Sequence, residues 1–114
     1  MDSEDTKSVV TQVRKYFDHD AAKQILKEKY EAKMLFTAFG GLWKAGPGLF
    51  ALLVPHMLEA GFHPETAPRE IVLLDEYGNP CKADSNELYD MAWQRWQEQM
   101  NGWYAEFQEL QQKR

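Results

Sequence analysis

Four side chains in this chain could take part in acid, base or nucleophilic chemistry: His19, His56, His63 and the single cysteine, Cys81. A histidine titrates near neutral pH and a thiolate is a nucleophile, so folding could in principle bring a Cys–His pair together. The residues form no local motif, and His19 lies between two aspartates whose pattern is explained by helix capping. The sequence therefore predicts no catalytic residue, with a small His/Cys enzyme as an alternative.

Sites for ions and nucleotides are equally unsupported by the sequence. The chain has no H-E-x-x-H motif and no paired cysteines, so no metal site is predicted. Its glycine-rich stretch at residues 40–48 lacks the Lys-Ser/Thr ending of a P-loop, and no cofactor is expected. The net charge of −5 disfavours direct binding of nucleic acid, which needs clustered basic residues.

The most informative pattern is an aromatic stripe near the C-terminus, with large apolar residues at alternating steps of four and three. Its members are Tyr89, Trp93, Trp96, Met100, Trp103, Phe107 and Leu110. This spacing places them on one face of a helix. So large an apolar face must be covered by the chain's own core, by a second copy or by a partner protein.

Tryptophan and phenylalanine side chains bury a large area on binding and are frequent interface anchors. Packing on the chain's own helices is the commoner use of such a face. The stripe also predicts contacts with a protein partner or a homo-oligomer, and an aromatic small-molecule or nucleotide site is the least favoured alternative. The predicted partner-binding residues are Trp93, Trp96, Trp103 and Phe107, with Trp43 and Phe50 as a second patch.

The elements that must position these residues are mainly helical. Apolar residues at helical spacing predict helices at about residues 6–17, 21–39, 47–61 and 85–111, of which the first two could form one kinked helix. Pro55 is expected to kink or split the third helix. The fold class is thus a small, mainly α domain of three to four helices at residues 6–112, preceded by a flexible acidic tail at residues 1–5.

One segment favours β-structure. The run Ile71-Val72-Leu73-Leu74 precedes a strong turn signal at residues 75–80, which allows a short hairpin returning through residues 81–83. Asp84 then has the position and chemistry of a helix N-cap for the C-terminal helix. An isolated hairpin is marginal, so it must lie against the helices or pair with another chain.

Two further expectations concern location. Residues 34–54 have the length of a membrane span with a single charge, but the glycines and proline in the middle make insertion the less favoured alternative. A lone cysteine and an acidic N-terminus indicate a reducing, cytoplasmic compartment. The preferred function is a non-enzymatic protein–protein interaction module, serving as a structural, assembly or accessory subunit, for instance of a virus or phage.

Overall fold

The computed structural model describes the backbone of residues 3–63, 65 and 69–113, and the side chains of residues 18–63, 65 and 69–113. In these residues the chain forms three helices and two separate antiparallel hairpins, which confirms the mainly helical class with the lower helix count. The elements in order are α1 (Ser3–Lys33), β1 (Leu35–Ala38), β2 (Gly41–Lys44), α2 (Pro47–Phe62), β3 (Glu70–Leu74), β4 (Pro80–Asp84) and α3 (Ser85–Gln112).

The N-terminal part of the chain is one long helix. Helix α1 runs through the polar interruption at residues 18–20, so the two predicted N-terminal helices are a single element. It begins at Ser3, within the segment predicted to be a flexible tail, while Met1 and Asp2 lie outside the described residues. The aspartates near His19 therefore do not start a new helix.

The predicted extension of this helix to residue 39 is wrong, because the chain turns into the β1–β2 hairpin after Met34. The pairing of Ala38 with Gly41 leaves Phe39 and Gly40 as a two-residue turn, with φ values of 52° and 74°. Two successive positive φ angles define the type I′ turn that suits the twist of a hairpin. The glycines at 40 and 41 thus connect two strands rather than ending a helix.

Phe39 is an unusual residue for this turn, since bulky side chains rarely adopt positive φ. Asparagine tolerates the same conformation, so we expect Phe39→Asn to raise the free energy of unfolding by about 0.5–1 kcal/mol. Urea denaturation would measure the change. Phe39→Ala, which removes the ring without favouring positive φ, is the control, and equal stabilities of the two variants would contradict this explanation.

The second hairpin and the last helix follow the sequence-based predictions closely. Strands β3 and β4 pair antiparallel, with Leu74 opposite Pro80 and Ile71 opposite Ala83. The Asp84 carboxylate accepts hydrogen bonds from the backbone N–H groups of Asn86 and Glu87, which confirms its role as the N-cap of α3. These capping bonds hold the pKa of Asp84 below its usual range.

Helix α2 runs from Pro47 to Phe62 and continues across Pro55, so the proline does not split it. Because proline has no N–H, the carbonyl of Ala51 lacks the helical hydrogen bond it would otherwise accept. Both residues are exposed, where water can satisfy that carbonyl.

The core lies where the two hairpins meet α2 and α3. Leu53 of α2 and Leu88 of α3 are fully buried, and Trp43 of β2 is 2% exposed. The other buried apolar residues of this cluster are Met34, Phe36, Ala45, Ala83 and Ala92. Residues from five of the seven elements thus enclose one apolar centre.

Helices α1 and α3 pack antiparallel at the other end of the molecule. The Tyr30 ring stacks on Trp103 at a centroid distance of 6.1 Å and lies against Gly102, where an added Cβ would come within 3.1 Å of the tyrosine oxygen. Glycine at position 102 therefore admits the tyrosine, and α3 runs through it unbroken. The Lys29 ammonium bonds both oxygens of Glu106 at 2.8 and 3.0 Å beside this contact.

Candidate functional site

The aromatic stripe of α3 is covered on two sides by the chain itself. Its first half surrounds Phe50 of α2, whose ring lies 5.6 Å from Tyr89, 5.5 Å from Trp93 and 6.2 Å from Trp96. All three contacts are edge-to-face, the arrangement that aromatic rings prefer. Its second half faces α1, where Tyr30 covers Trp103. Much of the stripe is therefore part of the fold.

The predicted partner-binding residues differ in their accessibility. Trp93 is 41% exposed, while Phe50, Trp96, Trp103 and Phe107 are half-buried.

Trp43 is different, because only 2% of it is exposed and its indole N–H donates to the Ala38 carbonyl at 2.7 Å. A side chain held in this way belongs to the core, and only its small exposed part, at the groove described next, can touch a partner. The sequence could not separate Trp43 from the exposed aromatics, because the strand that buries it was not predicted.

A groove of about 600 Å³ lies between the helices and the two hairpins. Trp43 forms its floor, and two tryptophans of the stripe form one wall. The other wall comes from the start of α2 and the end of β3. Its lining residues are Glu31, Met34, Trp43, Lys44, Ala45, Gly46, Pro47, Gly48, Leu49, Leu52, Leu74, Glu76, Trp96 and Trp103.

The chemistry of the groove is mainly apolar. Of its lining side chains only Glu31, Lys44 and Glu76 are charged, and they come from α1, from β2 and from the turn after β3. Two of its apolar members are unusually open, since Leu52 is 58% exposed and Leu74 is 68% exposed. Sequence reasoning identified neither of them, because their meeting depends on contacts between distant parts of the chain.

The groove keeps its shape through Asp75, a buried carboxylate that joins the two hairpins. Its Oδ2 accepts from the backbone N–H of Leu42 at 3.0 Å, and its Oδ1 accepts from Tyr77 and Asn79 at 3.1 and 2.9 Å. In return, the Glu76 N–H donates to the Leu42 carbonyl at 2.8 Å. Two of these bonds, the one between Leu42 and Asp75 and the one between Glu76 and Leu42, cross between the hairpins and hold β2 against the turn after β3.

These bonds favour the charged form of the carboxylate. The Leu42 N–H has the largest effect, followed by Asn79, and together with Tyr77 they hold the pKa of Asp75 below its usual range although burial acts in the opposite direction. Because the folded pKa is depressed, the stabilisation is present above the unfolded pKa of about 3.9 and is lost as pH falls through the folded value.

We therefore expect the protein to lose stability on acidification below about pH 4. Asp75→Asn removes the charge, so it should lower the melting temperature by several degrees at neutral pH and flatten the acid part of the profile. Thermal melts between neutral and acidic pH would measure both effects. Glu106 also has a depressed pKa, chiefly through its hydrogen bond from Lys29, so part of the acid slope should persist. An unchanged acid slope in Asp75→Asn would contradict the assignment.

The residues first considered for chemistry lie on several elements. His19 is in α1, His56 is in α2, His63 caps the end of α2, and Cys81 is in β4 with its thiol 3.6 Å from the Asn79 carbonyl. Cys81 is half-buried beside Gly41, where an added Cβ would come within 2.8 Å of its sulfur. Across the side chains that the structure describes, no group of three or more His, Cys, Asp or Glu residues could hold a metal ion.

The segment at residues 34–54, considered above as a membrane span, is divided between the β1–β2 hairpin and the first half of α2. Among the described helices, none has the length and apolar character needed to cross a bilayer. The chain matches no known family model, no curated protein and no solved structure.

Proposed function

We propose that this chain is a non-enzymatic protein-binding module, a structural, assembly or accessory subunit that holds an apolar segment of a partner protein in the groove. The observation that carries the proposal is the groove itself, with a tryptophan floor and with Leu52 and Leu74 exposed on its wall. Exposed apolar surface that borders a concave site is typical of a protein contact.

The lining favours a protein segment over a small polar ligand. Sites for small molecules place a few polar groups so that they converge on the ligand and fix its orientation. Here the charged residues Glu31, Lys44 and Glu76 are dispersed over α1, β2 and the turn after β3. Burial of Leu, Met and aromatic surface would therefore supply most of the binding energy, at about 25 cal/mol per Å² of apolar area.

The aromatic stripe contributes to the site through Trp96 and Trp103, which line the groove. Trp93 lies one turn before Trp96 on α3 and is exposed at the edge of the aromatic cluster, so it can extend the contact. We assign a supporting role to Phe50, which packs against Trp93 and Trp96, while the half-buried Phe107 continues the stripe beyond Trp103.

Selection of peptides on the immobilised full chain tests this proposal. We expect the selected peptides to carry two or more large apolar residues and to change the fluorescence of the groove tryptophans on binding. Leu74→Glu places a charge at the groove and should weaken binding of those peptides at least about tenfold. Titration calorimetry with a selected peptide would measure the loss.

Val72→Glu is the matched control. Val72 is 63% exposed and lies two residues before Leu74 on the same face of β3, but it does not line the groove. Its replacement makes the same change of charge on the same strand and should leave binding within about twofold of the unmodified chain. Equal losses from Val72→Glu and Leu74→Glu, or no selected apolar peptide, would overturn the proposal.

A further inference from the structure

The outer face of α2 is a second apolar surface, which meets the groove at Gly48 and Leu52. Only one of the 16 residues of this helix is an acid or a lysine or arginine, namely Glu59. Leu53 points into the core, and the opposite side of the helix is open, with Leu58 57% exposed and Phe62 76% exposed. A solvated helix face normally carries charged residues, so this one needs an explanation.

The open face follows a regular seam. Gly48, Ala51, Pro55, Leu58 and Phe62 succeed one another at steps of three and four, which places them in one line along the helix, and all five are exposed. The side chains increase in size from glycine at the first position to phenylalanine at the last. The surface is therefore low at the N-terminal end of α2 and raised at its C-terminal end.

We propose that this seam is a self-association surface, on which α2 of a second copy packs antiparallel with Pro55 on the two-fold axis. In that register the raised end of each helix meets the low end of the other, so Phe62 lies over Gly48 and Leu58 lies beside Leu52 of the second copy. A parallel pair would instead set phenylalanine against phenylalanine and leave a gap between the glycines. The increase in side-chain size along the seam therefore favours a second copy of α2 as the partner, and it favours antiparallel over parallel packing.

Charge supports the same register. Helix α2 has no side-chain cap and no acidic residue in its first turn, so its N-terminal N–H groups present unneutralised positive dipole charge. Antiparallel packing about Pro55 places Glu59 opposite Ala51 of the second copy, within about one turn of that N-terminus. The single charge of the helix therefore meets the opposite partial charge, although each chain carries a net charge of −5.

A lipid surface fits this face less well. The carbonyl of Ala51 has no helical donor because Pro55 lacks an N–H, and the helix N-terminus is uncapped. Such groups are costly in hydrocarbon, and α2 offers no lysine or arginine to anionic headgroups. A second protein surface, which leaves its edges in water, satisfies these groups more easily.

The contact is small. One face of a 16-residue helix is less than the surface of about 800 Å² per partner that a standard interface buries. We therefore expect a weak dimer, with a Kd on the order of 1–100 μM. Sedimentation equilibrium of the full chain from about 1 μM to 1 mM would cover the transition between 13.3 kDa and twice that mass.

Gly48→Leu is the decisive variant, because a Cβ at Gly48 meets nothing within 4 Å in the single chain but would collide with Phe62 of the second copy. We expect it to weaken dimerisation at least about tenfold without lowering the melting temperature measured in dilute solution. Gly61→Leu adds the same side chain to the same helix at another open position, away from the seam, and should dimerise normally. Gly48→Leu combined with Phe62→Ala should restore much of the association.

Cross-linking tests the register directly. In a Cys81→Ser background, Pro55→Cys should form a disulfide-linked dimer on mild oxidation, because the two-fold axis brings the new thiols together. Gly48→Cys and Phe62→Cys should each remain unlinked alone and should form a mixed dimer when combined. The inference is overturned if the wild-type chain stays monomeric to about 1 mM, or if it forms a dimer that Gly48→Leu does not weaken. It is also overturned if the chain binds neutral lipid vesicles and Gly48→Leu leaves that binding intact. The groove proposal is tested separately, through Leu74, which lies on β3 and not on α2.

Discussion

Replacing Trp43 by alanine is expected to lower the free energy of unfolding by about 3–5 kcal/mol. The ring is 2% exposed, belongs to the central apolar cluster and forms the floor of the groove, so its loss leaves a large cavity at the point where β1, β2 and α3 meet. It also leaves the Ala38 carbonyl without the indole N–H. Because small domains are stable by only about 5–15 kcal/mol, urea denaturation should show a clearly earlier transition.

Two variants separate the causes of this loss. Trp43→Phe keeps much of the packing but removes the indole hydrogen bond, and it should cost much less than alanine, about 1–2 kcal/mol. Trp93→Ala makes the same change from tryptophan to alanine at a residue that is 41% exposed, so its effect on stability should be well under half as large. Equal effects at positions 43 and 93 would show that the assignment of core and surface tryptophans is wrong.

Gly41→Ala should destabilise the protein by about 1–3 kcal/mol, although it adds only a methyl group. An added Cβ would lie 2.8 Å from the Cys81 sulfur, 3.0 Å from the Asp75 Cβ and 3.1 Å from its Oδ2. The contact is part of the junction between the two hairpins, so relief of the clash requires the hairpins to separate. Peptide binding at the groove should weaken together with stability, since Gly41 lies in the strand that carries its floor.

Gly61→Ala provides the comparison, because the same methyl group meets nothing within 4 Å there and the residue lies in the last turn of α2. Alanine is the better helix former, so this variant should be neutral or stabilising by up to about 1 kcal/mol. Chemical denaturation of the two variants side by side would show opposite signs. A Gly41→Ala variant as stable as the unmodified chain would contradict the close packing at the hairpin junction.

The parts of the fold that the sequence predicted well are those with local signals. The β-branched and aliphatic run at residues 71–74, followed by a turn sequence, specifies the β3–β4 hairpin. Asp84 marks the start of α3 because its side chain bonds the first free N–H groups of that helix. Both features depend on residues within about ten positions of each other.

The β1–β2 hairpin was not predicted, because the local sequence pattern there favours a helix. Helical spacing of apolar residues continues from α1 through Met34 and Leu35, and the glycines at 40 and 41 resemble a helix end. The pairing of Phe36 with Trp43 and the burial of both decide the outcome instead. Cross-strand packing and contact with α3 therefore overcame the local helical pattern, and the turn uses a phenylalanine that turn preferences do not predict.

The candidate site likewise depends on contacts between distant parts of the chain, which local sequence patterns do not predict. The spacing of Trp93, Trp96 and Trp103 correctly placed them on one helix. Whether each faces the core or solvent depends on Phe50 and Tyr30, which approach from other helices. Leu74 reaches the groove only because Asp75 holds the two hairpins together, a contact that spans 33 residues.

The Asp75 bridge also has a kinetic consequence. Each two-stranded hairpin is marginal alone, and the two are not joined into one sheet. Since Leu42 donates to Asp75 and accepts from Glu76, separation of the hairpins frees the Leu42 and Glu76 N–H groups at once. Native-state hydrogen exchange of these amides should therefore proceed as one cooperative opening unit, and the frequency of that opening sets how often the groove loses a wall.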